Sequence, residues 1–305
     1  MQRLRNCAAL LMAGAAVCSA PSLAEQASKA DCSALVAGLG GISGNHELQD
    51  ARSVDSEGWC RIDGALLRGR TDEVPNILAS TVRMRGTALG GDLTALEVEI
   101  TGLKLAPKIG DRVMDDRLRS FLRLQTADVT FSAVWNKEAD LLVIRNFVLS
   151  LPGRNRLSLN AEIPGADMSA ATALLGGRVT VLEVELVTDG RIARPVMQMA
   201  GDRLLPAGAD PGDAVAAVRT RLARVVEAMP VAVLDGEGKF ALTALLAGLP
   251  QTTGTLRLTL RAEDGISAAR LALNGLRQDP LAPQALAALF EGVALTADWQ
   301  PGAAP

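Results

Sequence analysis

The sequence predicts an α+β fold, in which a mainly antiparallel β-sheet built of meanders carries short helices packed on one face. Two segments, 90–100 and 176–186, share seven of eleven residues and alternate apolar with polar side chains. A period of two is typical of a strand with one buried and one solvated face. Three more such patterns follow one another over 126–164 with short turns between them, which indicates antiparallel pairing.

The repeated segments also indicate an internal repeat of larger units. A weaker copy of the strand pattern recurs over 256–265 and ends, like the second copy, in an Asp-Gly pair. A unit made of a strand pair with a helical return, used about three times, would explain this spacing. We therefore expect two related strand–helix halves, 25–165 and 166–305, that form one continuous structural unit.

The first 24 residues have the composition of an export signal. Arg3 and Arg5 precede an apolar run, 8–17, and residues 22–24 form a small-x-small cleavage pattern. The run is too short to span roughly 30 Å of hydrocarbon, and no later segment has the ~20 apolar residues that a membrane helix needs. We therefore expect a periplasmic or secreted protein that is not integral to the membrane. In the alternative interpretation, Cys18 carries a lipid, although the residue before it is bulky.

Signal cleavage would leave Cys32 and Cys60 as the only cysteines. An even pair in an oxidising compartment predicts a disulfide bond. The loop of about thirty residues that it closes corresponds to roughly 3 kcal/mol of stabilisation on the chain-entropy estimate. A redox-active pair more often has the Cys-x-x-Cys spacing, so we interpret this bond as structural.

The amino-terminal half, 25–165, contains most of the predicted strands. It begins with a helix over 28–41, for which Ser28 is the expected N-cap. A polar loop follows over 44–58, and strand alternation then runs from Trp59 through the first repeat. An amphipathic helix is predicted over 111–122, before the three-stranded meander completes this half.

The carboxy-terminal half, 166–305, mixes helices with strands. An apolar helix over 169–175 leads into the second repeat. The clearest helix covers 210–229, because Asp210 can cap it, Pro211 suits its first position and Pro230 ends it. The remaining predicted elements are a helix over 240–249, strands over 256–261 and 271–273, a helix over 283–290 and a last strand over 293–299.

Charge and residue usage argue against several classes of function. The chain has 31 basic and 34 acidic residues without blocks, which disfavours nucleic-acid binding because phosphate contacts need a basic patch. His46 is the only histidine, so a zinc site or a Ser-His-Asp triad lacks its usual residues, and we interpret His46 as a polar loop residue. Residues 41–44 resemble only a fragment of the G-x-S-x-G motif.

Two further signals of chemistry are weak. Adjacent carboxylates such as Asp115 and Asp116 could serve a glycosidase, but aromatic residues, on which sugars stack, make up only 3% of the chain. The pairs Gly90-Gly91 and Gly176-Gly177 precede strands rather than helices, so we expect turns or bulges and not phosphate loops. We therefore predict a non-enzymatic protein without a metal or cofactor.

The candidate site is the apolar side of the two repeats. If helices cover this face completely, it is only a core. If they cover it in part, it forms an aliphatic groove of the kind that holds a lipid or another apolar small molecule. The rival hypothesis is a structural or adaptor protein that recognises another envelope protein through its polar strand face or an exposed edge. The candidate residues are Leu96, Val98, Ile100, Leu182, Val184 and Leu186.

The strand pattern has a counterpart among known families. Leu-x-Leu alternation around Pro152-Gly153 and over 157–159 is joined to strands that run into Asp-Gly pairs at 182–190 and 256–265. Over about 126–299 this arrangement resembles the AsmA-like and YdgA-like families of bacterial envelope proteins. The resemblance implies repeated amphipathic strands and a role in lipid handling or envelope upkeep. The amino-terminal membrane helix common in those families is replaced here by the predicted cleaved signal, and no functional residue is carried over.

Overall fold

One antiparallel sheet of twelve strands makes up most of the structure. The computed structural model describes residues 28–29, 31–33, 35, 46–49, 52–55, 57–69, 76–89, 92–106, 126–168, 176–201, 210–267, 269–270, 274 and 283–302. The strands are β1 (Ser28–Lys29), β2 (His46–Gln49), β3 (Arg52–Val54), β4 (Cys60–Gly69), β5 (Asn76–Leu89), β6 (Asp92–Ala106), β7 (Ala127–Asn136), β8 (Leu141–Leu151), β9 (Asn155–Pro164), β10 (Arg178–Asp189), β11 (Thr253–Ser267) and β12 (Val293–Pro301).

The strands follow one another across the sheet almost in chain order. The order is β12-β11-β10-β9-β8-β7-β6-β5-β4-β2, with β1 paired to β5 and β3 paired to β4 beside this path. Every strand pair is antiparallel, as expected for strands that reverse direction at each connection. The predicted antiparallel meander is confirmed, and it extends far beyond 126–164.

Four helices have described bounds. They are α1 (Ala193–Gly201), α2 (Pro211–Ala228), α3 (Gly236–Gly248) and α4 (Pro283–Leu289). All four follow β10, whereas β4 to β10 pair directly with one another. The fold is therefore mainly β rather than α+β, and the described residues show no pair of related strand–helix halves. The two repeated strands instead belong to one antiparallel sheet, with β7, β8 and β9 between them.

The helix expected to begin at Ser28 starts later. Ser28–Lys29 is a strand that pairs with β5, so Ser28 is not the N-cap. Asp31 takes that position: its Oδ1 accepts a hydrogen bond from Ser33 N at 3.3 Å, and its carbonyl oxygen accepts one from Leu35 N at 3.0 Å. Serine and aspartate are both preferred N-cap residues, so the sequence alone did not distinguish Ser28 from Asp31.

The polar loop expected over 44–58 contains two short strands. Both β2 and β3 pair with β4, and His46 lies at the start of β2 opposite Gly69. Short polar strands lack the apolar alternation by which the other strands were recognised. The interpretation of this segment as a loop was therefore wrong over 46–49 and 52–54.

The predicted disulfide bond is present between Cys32 and Cys60. Their Cα atoms are 5.2 Å apart, which is within the usual range for a bridge. Cys60 is the first residue of β4 and is buried in a cluster with Leu35 and Met84. The bond therefore anchors the segment that follows β1 to the sheet core.

The carboxy-terminal elements agree with the prediction except for α1, which was not predicted. Asp210 caps α2, since its Oδ1 accepts a hydrogen bond from Gly212 N at 2.6 Å. The helix ends at Ala228, shortly before Pro230, which cannot donate a backbone hydrogen bond. The predicted helices over 240–249 and 283–290 correspond to α3 and α4, and the last predicted strand corresponds to β12.

Several predicted features lie outside the described residues. These are the export signal over 1–24 with Cys18, the glycine pair at 90–91, the helices over 111–122 and 169–175, and the strand over 271–273.

Candidate apolar binding face

The sheet brings the apolar sides of both repeats onto one face. Leu96 lies opposite Ala133, and the same lateral row continues through β8 and β9 to Leu182. Directly opposed residues of antiparallel strands share a face, so the row lies on one side. A second row holds Val98 and Val184 and crosses an irregularity in the β7–β8 pairing between Phe131 and Phe147, and a third row holds Ile100 and Leu186. The apolar face consists of Leu96, Ala133, Ile144, Ala161, Leu182 and Leu260; Val98, Phe131, Phe147, Leu159, Val184 and Leu258; and Ile100, Val129, Leu149, Leu157, Leu186 and Leu256.

The apolar face is unevenly buried. Ala133 and Ala161 in its first row are buried, as are Val98 on β6 and Leu256 on β11. In between, on β7 to β10, most of the aliphatic side chains in the second and third rows are only half-buried. The half-buried residues are Val129, Leu149, Leu157, Leu159, Val184 and Leu186.

The helices that the structure describes lie toward the β12 end of the sheet. Helices α1 and α2 pack against each other, and α3 packs against β12. Leu234, between α2 and α3, is fully buried and forms a parallel bridge with Leu295 at the outer edge of β12. Leu295 N–H donates to Val233 O there at 2.7 Å. Among the described elements, no helix packs extensively against β6 to β10.

The dimensions of the apolar face suit an elongated ligand. Four strand-to-strand steps separate β6 from β10, which corresponds to about 19 Å at the usual strand spacing. Along β7, the six residue-to-residue steps from Val129 to Trp135 extend over about 20 Å. The arrangement can remove a long apolar chain from water at many points while offering few polar contacts.

One end of the apolar face carries a polar atom without a partner. Trp135 lies opposite Leu142, which lies opposite Ile163, so a short fourth row closes the face near the β7–β8 turn. The Trp135 indole packs against the cluster of Ala133, Leu142 and Ala166. Its Nε1–H is shielded from solvent and has no hydrogen-bond acceptor.

The opposite side of the sheet, which we call the polar face, is lined with paired charges. Arg83 Nη2 lies 3.2 Å from Asp55 Oδ2 and 3.1 Å from Glu57 Oε2, and Arg83 Nη1 lies 3.1 Å from Glu99 Oε2. The guanidinium also stacks on the Trp59 ring, 4.7 Å from its centroid. Cation–π and ionic contacts therefore satisfy this part of the polar face internally.

A second group of charges lies at the other end of the polar face. Arg257 Nε lies 2.9 Å from Glu185 Oε2, and its Nη1 lies 3.9 Å from Asp298 Oδ2. These pairs lie between directly opposed strand residues, where opposite charges stabilise the sheet. The glutamates of both repeats therefore face away from the apolar rows, as the alternation predicted.

Two carboxylates are stabilised in their charged form. The Trp59 N–H, which donates to Asp55 Oδ1 at 2.9 Å, is the main cause of a lowered pKa for Asp55, with a further contribution from Arg83. Burial alone would raise the pKa of Asp189. The backbone N–H of Arg191 and the side-chain amide of Asn155 donate hydrogen bonds that outweigh burial, so the pKa of Asp189 is lowered. Both carboxylates hold the backbone in place, and neither lies on the apolar face.

The Asn155–Asp189 contact ties the β8–β9 turn to the end of β10. Asn155 is 5% exposed, and its Nδ2 donates to Asp189 Oδ1 at 2.7 Å and to Pro152 O at 2.8 Å. Asp189 N–H donates back to Asn155 Oδ1 at 3.1 Å. The sequence analysis did not predict this pair. The residues that could have indicated it are an asparagine just after Pro152-Gly153 and the aspartate of the Asp-Gly pair that ends β10.

A shallow groove of about 860 Å³ lies at the β9–β12 end of the sheet. Its lining includes the directly opposed residues Glu162, Val181 and Arg261, together with Phe290. Three carboxylates and one guanidinium in an open groove do not form a charge pattern that selects one ligand.

The described part of the chain shows no other chemistry that could define a site. It contains no group of three or more His, Cys, Asp or Glu side chains arranged to hold a metal ion. It contains no helix long and apolar enough to cross a membrane. Comparisons with models of protein families and with curated proteins find no match for this chain.

Proposed function

We propose that this protein is a non-enzymatic, exported binding module that holds the acyl chain of a lipid on the apolar face. The observation that carries the proposal is that three apolar rows cross β6 to β10, with most of the aliphatic side chains of the second and third rows half-buried on β7 to β10. Each methylene removed from water contributes about 0.8 kcal/mol, so a long chain lying on these rows would bind without strong polar contacts. The expected export signal and the disulfide bond favour a periplasmic or secreted location.

The adaptor hypothesis has less support from the described residues. Arg83 and Arg257 on the polar face each already bind two or more carboxylates, so neither guanidinium is left for a partner. The outer edge of β12 is occupied in part by Val233 and Leu234. A protein partner would therefore find two satisfied charge clusters and a partly covered edge.

A pair of neighbouring substitutions tests the lipid-binding proposal. Leu159 lies on the apolar face and Ser158 on the polar face of the same strand, and both are half-buried. We expect Leu159→Asn to weaken the binding of a fluorescent fatty acid roughly tenfold, because it removes an apolar contact and adds a polar amide. Ser158→Asn should leave the affinity unchanged.

The outcomes separate the hypotheses. Mass spectrometry of organic extracts from protein purified from its native host should show a co-purified acyl lipid. Preparations that are reproducibly empty and that take up no fluorescent fatty acid would contradict the proposal. A specific protein captured by crosslinking in cells, with no bound lipid, would favour the adaptor instead.

A further inference from the structure

The unpartnered N–H of Trp135 is a polar group in an otherwise apolar cluster. The indole nitrogen is a donor only, and a buried donor without an acceptor destabilises the folded state. Most buried polar groups in proteins are hydrogen-bonded, so an exception calls for a specific explanation. Trp135 Nε1 has no acceptor within the structure, although the neighbouring strands place it securely in register.

The position of Trp135 fits a place where an acyl chain ends. It lies in the short fourth row with Leu142 and Ile163, beyond the three long apolar rows. Just past it, Lys137 Nζ is 5.4 Å from the Trp135 ring centroid and 2.7 Å from Asp92 Oδ2. The apolar face therefore changes at Trp135 from aliphatic side chains to a charged, partly exposed ion pair.

The residues around the indole can move to admit a ligand. Met168 packs on the same cluster and is half-buried. Methionine is flexible and adapts to irregular spaces, so it can yield to an incoming group without disturbing the strands. An oxygen atom at the end of an acyl chain could then reach Nε1, which supplies a donor but no charge.

We propose that Trp135 Nε1–H is the polar anchor of the apolar face and donates a hydrogen bond to an accepting oxygen at the head of an acyl chain. This inference rests on the proposed function. The accepting oxygen belongs to a free carboxylate or to an ester carbonyl, since both are acceptors at the end of a long chain. The anchor fixes the direction of the chain, with its head at the β7–β8 turn and its tail toward Val129.

A comparison of three ligands with one substitution tests the anchor. The probes are hexadecanoic acid, its methyl ester and hexadecane, each measured by displacement of a fluorescent fatty acid. We expect Trp135→Phe to lower the affinity for the acid, for the ester or for both by roughly fivefold to tenfold, which corresponds to the loss of one hydrogen bond. The affinity for hexadecane should not change. The acid and ester measurements identify which head group is bound.

Trp299→Phe is the matched control. Trp299 lies opposite Leu256 at the β12 end of the third row, and its indole nitrogen is not among the buried atoms without a partner. The same chemical change there should lower the affinity for all three probes equally or not at all. A loss at Trp299 confined to the acid and ester would overturn the assignment of the anchor to Trp135.

The NMR signal of the Trp135 indole N–H gives a second readout, which would not change if Trp135 only supported the fold. In a ¹⁵N-labelled protein, the Nε1–H signal should shift downfield when the acid or the ester binds and stay in place with hexadecane. If all three probes bind and Trp135→Phe affects them equally, or if the resonance does not move, the anchor is overturned and the proposed function stands. If wild-type protein binds none of the probes, the proposed function itself is overturned.

Discussion

Leu96 and Leu182 occupy equivalent positions of the two repeated segments and lie in one lateral row of the same sheet face, four strands apart. Three strands of the meander connect them. The similarity of the segments therefore reflects equivalent positions in one sheet rather than two halves of the molecule. The shared register matters because a slip of one residue would turn every apolar side chain of a strand to the opposite face.

The Gly176-Gly177 pair offers a sharp test of packing. A Cβ added at Gly177 would lie 2.6 Å from both Ala166 Cβ and Ile163 Cγ2, whereas one at Gly176 would meet nothing closer than 3.6 Å. We expect Gly177→Ala to lower the free energy of unfolding by about 1–3 kcal/mol through overpacking. Gly176→Ala should have little effect. Urea unfolding of both variants checks this, and equal stability would contradict the packing.

Asp189 should make stability depend on acidity. Its pKa is lowered in the folded protein, so its contribution is present above the unfolded value of 3.8 and is lost as the pH falls through the folded pKa. The stability difference between wild type and Asp189→Asn should be constant above about pH 5 and shrink below about pH 4. Denaturant titrations at several pH values measure it. A stability difference that stays unchanged from neutral pH to pH 3 would contradict the stabilising role of the charged Asp189. Glu263→Gln, at an exposed carboxylate, serves as the control.

The Cys32–Cys60 bond should stabilise the fold by constraining the unfolded chain. The two residues are 28 positions apart, and on the chain-entropy estimate their bond contributes roughly 3 kcal/mol. Dithiothreitol should therefore lower the unfolding free energy of wild type by about this amount. The double variant Cys32→Ala/Cys60→Ala should start lower and be insensitive to the reductant. If dithiothreitol lowered the unfolding free energy of both proteins equally, the disulfide bond would not be the cause of the stabilisation.

Sequence patterns predicted the strands and their faces better than the global architecture. Alternation around Leu96 and Leu182 is a local property, and it correctly assigned which side chains share a face. The mainly β architecture depends on which strands pair, a long-range property that a local period does not contain. The strand at 46–49 was missed because short polar strands give no period.

Parts of the candidate site were also beyond local patterns. The exposure of Leu157 and Leu159 depends on where the helices pack. The apolar spacing of α3 does not indicate whether the helix lies against β12 or across β9. The unpartnered Trp135 N–H likewise depends on three-dimensional neighbours, since a tryptophan at a strand end usually finds an acceptor.

The most direct measurement of the central claim is quenching of single tryptophans by a brominated fatty acid. Trp135 lies on the apolar face, whereas Trp59 is buried against Arg83 and Arg85 on the polar face. Single-tryptophan proteins, with the other two tryptophans replaced by phenylalanine, would be titrated with 9,10-dibromostearic acid, which quenches only at short range, up to concentrations that also saturate the Trp135→Phe variant. The account predicts saturable quenching of Trp135 fluorescence and none of Trp59. Equal quenching of both, or saturable quenching of Trp59 alone, would contradict binding on the apolar face.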